Sequence, residues 1–172
     1  MNESADDRST IEIRRSEASD YEWLIQSHTD EWGSPLIERT GEFLDAMELD
    51  SIVVIDNGER VGLATLLHTD GETEIVTIKS FDKYRGIGSE MLHWIEADAF
   101  SRGSETLKVF TTNDNLDAIR FYQRRGFRLE RIWKDSITEA RKIKTMIPLE
   151  GSFGIPLCDE IELHKAILAE SN

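Results

Sequence analysis

One stretch of this 172-residue chain has the residue types to hold phosphate: Lys83-Tyr84-Arg85-Gly86-Ile87-Gly88. Two glycines two residues apart carry no Cβ, so a ligand can come close to the backbone there. The stretch follows an apolar-alternating run, Glu74 to Ser80, and precedes a helically periodic one, Ser89 to Phe100. That order predicts strand, glycine turn, helix. The helix N-terminus then offers unpaired N–H groups and the positive end of its dipole to whatever the turn holds. Backbone donors from Arg85 to Ser89, more than side chains, would do the holding. A lone G-x-G also fits an ordinary tight turn, so the rest of the chain has to decide.

Composition narrows the classes. Apolar residues make up 39% and no run of 18 apolar residues occurs, which predicts one soluble domain with no membrane span. The polar, acidic opening has no apolar leader, so the expectation is a cytoplasmic protein with residues 1–9 as a flexible tail. One cysteine, Cys158, excludes an internal disulfide, and the four histidines show no metal-ligand spacing, so no metal is expected. The net charge is −14. Residues 1–50 carry 14 acids and 4 bases, while residues 102–144 carry 6 acids and 11 bases. The acidic balance argues against a nucleic-acid partner, which needs Lys and Arg at phosphates, and suits an amine-bearing one. The basic segment lies C-terminal to the glycine turn, where a polyanionic ligand needs counter-charge.

The elements that would position this turn alternate between helix and strand. Ile11–Arg14 reads as a strand. Ser19 or Asp20 caps a helix running to about His28, and Trp32 to Pro35 reads as a loop. Gly41 to Leu49 reads as a second short helix. Ser51–Ile55, Val61–His68 and Thr73–Ser80 are three consecutive antiparallel strands, joined by turns at Asn57-Gly58 and Asp70-Gly71. After the glycine turn, Ile87, Met91, Leu92, Ile95 and Ala99 share one helix face, with Gly103 at its end. Thr106–Thr111 is a strand, Asn115–Arg125 a helix closed by Gly126, and Phe127–Trp133 a strand. Asp135 to Pro156 reads as irregular, and Asp159–Lys165 as a last strand.

With these residues placed, the chain resembles the GNAT superfamily of acyl-CoA-dependent N-acetyltransferases. The phosphate-loop pattern Q/R-x-x-G-x-G/A is met from Lys83 to Gly88, with Lys83 where Gln or Arg is usual. The more specific pattern N-x-x-A-x-x-[FL]-Y-x-x-x-G-F is met in full from Asn115 to Phe127. Ile155 to Leu163 further resembles the end of a bacterial subgroup of the superfamily. The resemblance covers Ile11 to Phe127 and implies an α/β (α+β) fold, a mixed, mostly antiparallel central sheet flanked by helices.

It also implies acetyl-CoA as co-substrate. The pyrophosphate would lie on Lys83, Tyr84, Arg85, Gly86, Ile87, Gly88 and Ser89. The pantetheine arm would lie along Thr77, Ile78 and Lys79, where a backbone N–H near Ile78 would polarise the thioester carbonyl. Asn115, a favoured N-cap by residue type, would also touch the cofactor. Arg120, Arg124 and Arg125 form a basic helix face that either steers the 3′-phosphate or is simply solvated. Tyr122 would donate a proton to the leaving thiolate; the alternative is a core tyrosine beside Phe121 and Phe127. Glu74 is the best candidate to take a proton from the acceptor ammonium or to bind it, against an exposed acid at a strand start; His68 is the weaker one. Trp32, the Gly33–Gly41 loop and the Trp133–Pro156 segment would shape the acceptor cleft. The acceptor implied is a small-molecule or peptide amine. A non-catalytic CoA-binding module and an RNA-directed toxin are the competing readings. Edge strands of such sheets can pair between chains, so a homodimer is among the states the resemblance allows.

Overall fold

The computed structural model describes residues 11–82 and 86–167. The expected N-terminal tail and Lys83, Tyr84 and Arg85 lie outside the described residues. Among those described, no helix is long and apolar enough to cross a membrane.

Among the described residues nine strands form: β1 (Ile11–Arg15), β2 (Leu36–Arg39), β3 (Glu42–Asp45), β4 (Asp50–Asp56), β5 (Glu59–Thr69), β6 (Glu72–Ser80), β7 (Thr106–Thr112), β8 (Arg128–Trp133) and β9 (Glu160–Ala166). Four α-helices join them: α1 (Tyr21–Trp32), α2 (Ile87–Ser101), α3 (Leu116–Gln123) and α4 (Ser136–Ile143). Seven strands make one sheet in the order β1-β4-β5-β6-β7-β9-β8, and β2 and β3 pair as a separate hairpin. Every neighbour in the large sheet is antiparallel except β6 and β7. A parallel pair needs a long crossover, and α2 supplies it.

The helices cover both faces of the sheet. α2 buries Ile87, Met91, Leu92, Ile95 and Ala99 in one core cluster with Ile52, Val54, Leu66, Ile75, Leu107 and Leu163. These strand residues alternate with Val53 and Leu63, which pack with Leu24 of α1 in a second cluster. Each fully buried aliphatic side chain contributes about 1.5–3 kcal/mol, so the faces hold the helices firmly. The β4–β5 turn has Asn57 at φ 49° and Gly58 at φ 82°, the two positive angles of a type I′ hairpin.

Three expectations need correction. The segment expected as a helix from Gly41 to Leu49 is instead the second half of a hairpin. Thr40 and Gly41 turn at φ 51° and 88°, β3 follows, and only Ala46–Glu48 makes a 3-10 turn, with the Asp45 carboxylate accepting from the Met47 N–H at 2.9 Å. Long-range ties override the local helix preference. Thr40 N–H donates to the Glu160 carboxylate at 2.7 Å, and Arg39 reaches Glu74. The segment from Asp135 to Pro156, expected to be irregular, contains α4, which buries Ile137 and Ala140. Finally, α1 runs past His28 to Trp32 and ends at Gly33, φ 80°, so Trp32 stands on a helix and not in a loop.

Candidate active site

The site begins with one extra residue in β6. Thr65 of β5 pairs with Thr77, but Leu66 pairs with Ile75, so Val76 is bulged out of the ladder. A bulge bends its strand and raises the local twist. On the other side, β6 and β7 pair from Glu72↔Thr106 only to Ile75↔Val109. Beyond that point the two strands part, and β7 continues beside β9 to Thr112. The parting opens a cleft of about 720 Å³, walled by β6, β7, α3 and the start of α2.

The bulge also changes which face each side chain takes. Ile75 belongs to the core under α2, and unbroken alternation would place Thr77 there too. Instead Thr77 faces α1, is 3% exposed, and donates its hydroxyl to His28 Nε2 at 3.2 Å. His28 Nδ1 donates to the Leu24 carbonyl at 2.8 Å, and burial lowers its pKa, so the ring is neutral and Nε2 accepts. The Thr65 hydroxyl lies 3.2 Å from the same nitrogen, whose single lone pair the two hydroxyls share. The Thr77 side chain is thus occupied, and only its backbone is left to meet a ligand.

Thr77, Ile78, Lys79, Gly86, Ile87, Gly88, Ser89, Asn115 and Tyr122 all line the cleft. Gly86 has φ 78° and precedes the first residue of α2. A Cβ there would meet nothing within 4 Å, so the space beside it is open to a ligand. Gly88 differs: a Cβ would stand 3.2 Å from the Phe121 ring, so this glycine lets α2 approach α3. Asn115 caps α3 through its side-chain oxygen, which accepts from the Ala118 N–H at 3.2 Å. The Lys79 ammonium is paired with Glu31.

Tyr122 is 3% exposed, with its ring edge-on between Phe121 and Phe127, centroids 5.3 and 5.2 Å away. Burial pushes the phenol well above its ordinary range. Among the described residues its hydroxyl has no hydrogen-bond partner. A purely structural buried tyrosine usually finds one. The three arginines divide. Arg125 lies over the Phe121 ring at 3.7 Å and bonds Ser89 Oγ and the Phe121 carbonyl, clamping α3 to α2. Arg120 and Arg124 are exposed on the cleft wall.

Glu74 departs from the exposed acid that its strand-start position suggests. It is 3% exposed and outside the cleft lining. Both its oxygens accept from the Arg39 guanidinium, one from Nε and one from Nη2 at 2.7 Å. Arg39 also lies over the Phe110 ring at 5.0 Å, and Phe110 lines the cleft. His68 is at the opposite end of the sheet. It bonds Thr73 Oγ1 at 3.0 Å beside Asp50 and Asp98, with no place in the cleft.

Sequence reasoning passed over Arg39, Glu38, Lys144 and Glu160. Glu160 is 4% exposed; burial pushes its carboxyl up to about 7, against the bond from Thr40. No local pattern marks any of them, because each acts on a residue far away in the chain. Among the described residues, no group of His, Cys, Asp and Glu could hold a metal ion.

The site is thus a cleft opened by a splay between two parallel strands, beside a glycine at a helix N-terminus. The sequence profile of the acetyltransferase (GNAT) family matches residues 18–127. The chain belongs to that family and is an N-acetyltransferase of it. It is 36% identical over 145 residues to the uncharacterized protein YxbD of Bacillus subtilis (strain 168), covering 84% of this chain and 89% of that one. The fold matches an IAA acetyltransferase from Bacillus cereus ATCC 14579 with a TM-score of 0.68 at 21% identity, over 91% of this chain and 99% of that one. It equally matches a GNAT family acetyltransferase from Elizabethkingia anophelis with acetyl-CoA bound, TM-score 0.68, 22% identity, over 91% and 97%.

Proposed function

We propose that the protein moves an acetyl group from acetyl-CoA to a primary amine by direct attack with both substrates bound, and that Tyr122 is the acid of the reaction. The observation that carries this is Tyr122 itself: a protonated phenol on the cleft wall whose hydroxyl no group among the described residues engages. The acetyl-CoA in the Elizabethkingia anophelis neighbour supports the donor. The open space beside Gly86 and the N-terminus of the 15-residue α2 suit the pyrophosphate. The backbone of Thr77 to Lys79, freed from β7 by the splay, suits the amide-bearing pantetheine arm. Asn115, Ile87 and Ser89 complete the wall.

The chemistry balances. The acceptor ammonium first loses a proton to become nucleophilic. Its nitrogen attacks the thioester carbon, an N–C bond forms, and the C–S bond breaks. The thiolate takes a proton from Tyr122, which is reprotonated by the second proton of the amine. One proton in total reaches solvent. Glu74 does not take it, in this reading, because its carboxylate is already held at both oxygens by Arg39. We assign Glu74 a positioning role: through Arg39, which lies over the Phe110 ring of the cleft wall, it fixes the β2–β3 hairpin beside the cleft.

The test is thiol release from acetyl-CoA across a panel of primary amines, run beside calorimetry of acetyl-CoA. Release that requires both substrates is the expected result. Tight acetyl-CoA binding with no release on any amine would identify a non-catalytic binding module instead.

A further inference from the structure

A second cavity of about 440 Å³ adjoins the cleft. Trp32 lines both, and Thr112 of the cavity follows Thr111 of the cleft wall. Its walls are mainly apolar, from Trp32, Ile37, Ile137, Met146, Ile147 and Leu157. Three charged side chains also face it: Glu31, Glu38 and Lys144. Glu31 is neutralised by Lys79. The other two are not. Glu38 accepts only the Gly41 N–H, at 2.8 Å, and the Lys144 ammonium donates only to the Leu36 carbonyl. Among the described residues neither joins an ion pair. Glu38 and Lys144 attract each other across the half-buried cavity without touching, so the space between them suits a ligand that carries both signs of charge.

We propose that the acceptor is a zwitterionic α-amino acid with an apolar side chain. Its carboxylate rests on Lys144, its ammonium on Glu38, and its side chain on the apolar wall. The proposal rests on the acetyltransferase reading above and deepens it. A bare alkylamine would bring a second positive charge beside Lys144 and compete with it for Glu38, adding no anion in exchange. A zwitterion brings no net charge and satisfies both groups. The polarity also suits the reaction. Glu38 is close enough to Glu160 to feel its charge, and Glu160 pairs with Thr112, the residue after Thr111 of the cleft wall, so an ammonium held by Glu38 would have a short path to the cleft. Acetylation removes the positive charge that Glu38 holds, which weakens the product's grip and favours its release.

The test has two arms. In the first, thiol release from acetyl-CoA is compared for leucine, methionine and phenylalanine against their decarboxylated amines, isopentylamine, 3-(methylthio)propylamine and 2-phenylethylamine. Amino acids should lead in kcat/KM by roughly 10–100-fold, the worth of a hydrogen-bonded charge, and Lys144→Met should collapse that ratio mainly through KM. Equal or better use of the decarboxylated amines would overturn the zwitterion while leaving the acetyltransferase in place. In the second arm, leucine is titrated calorimetrically into CoA-saturated protein. This arm decides even if no amine is turned over, an outcome that would count against the acetyltransferase reading. Leucine binding that Lys144→Met and Glu38→Gln each weaken, with melting temperature held, upholds the cavity's assignment. No binding, or binding indifferent to both variants, overturns it.

Discussion

Replacing Glu74 by Gln separates a base from a positioning residue, because the two roles predict opposite pH behaviour. Glu74 is 3% exposed and the Arg39 side chain 14% exposed, and the pair is bidentate. Glutamine keeps the shape but deletes the charge and turns an NH2 toward the guanidinium. Removing one partner of a buried pair costs about 3–5 kcal/mol. Part of this is offset, since Arg39 keeps Glu42 at 2.8 Å and the Phe110 ring. A loss of about 2–4 kcal/mol remains, which for a chain of this length lowers the melting temperature by roughly 4–16 °C. Activity should fall because the hairpin loosens, and by a constant factor from pH 6 to pH 9. The assay is a thermal melt of each variant beside its pH–rate profile. Arg39→Met combined with Glu74→Leu should be less destabilised than the sum of the single variants, since no buried charge is stranded. A Glu74→Gln enzyme with the parent melting temperature, whose deficit disappears as pH rises and free amine accumulates, would refute the positioning role and restore Glu74 as the base.

Tyr122→Phe should lower kcat by roughly 10–10³-fold with acetyl-CoA affinity and melting temperature retained, because the hydroxyl has no partner among the described residues to lose; full activity in a burst-free steady-state assay would remove the acid role. The parent enzyme should show no loss of this acid up to pH 10, since burial raises the phenol's pKa. Gly86→Glu should abolish acetyl-CoA binding in calorimetry by placing a carboxylate where the proposed site holds the pyrophosphate; unchanged affinity would contradict the phosphate-loop assignment. Glu160→Gln should stabilise the protein at pH 8. The carboxyl titrates at about 7 when folded, against 4.5 for the ordinary side chain. The folded state therefore binds the extra proton between those values, and stability falls as pH rises through the window, by up to about 3 kcal/mol. The gain in melting temperature should be present at pH 8 and gone near pH 4.5.

What was legible in the sequence is what local patterns encode. The Asn57-Gly58 turn, the apolar face of α2 and the N-cap of α3 each depend on residues within a few positions of one another, and each forms as its pattern predicts. The β2–β3 hairpin and α4 were not legible for a common reason. Glu42 to Glu48 has good local helix formers, yet Thr40 is tied to Glu160 and Arg39 to Glu74, and those partners are remote in sequence. The same remoteness hid Lys144 and Glu38, which meet across the second cavity only because α1, the hairpin and the segment after α4 converge there.

The bulge at Val76 is the sharper case, since its mark on the pattern is slight: Ile75 and Ile78, three residues apart, both pack in the cluster under α2. Strict alternation would put Thr77 on the face of Ile75. One extra residue sends Thr77 to His28 and ends the pairing with β7 at Ile75. The bent β6 leaves a cleft, and His28 favours the bend. The residue is 0% exposed, so its neutral Nε2 needs a donor, and Thr77 can supply one only when it is turned toward α1. A helix residue 49 positions away thus holds open the strand edge on which the thioester would lie, so the histidine that helps shape the active site does so without touching a substrate.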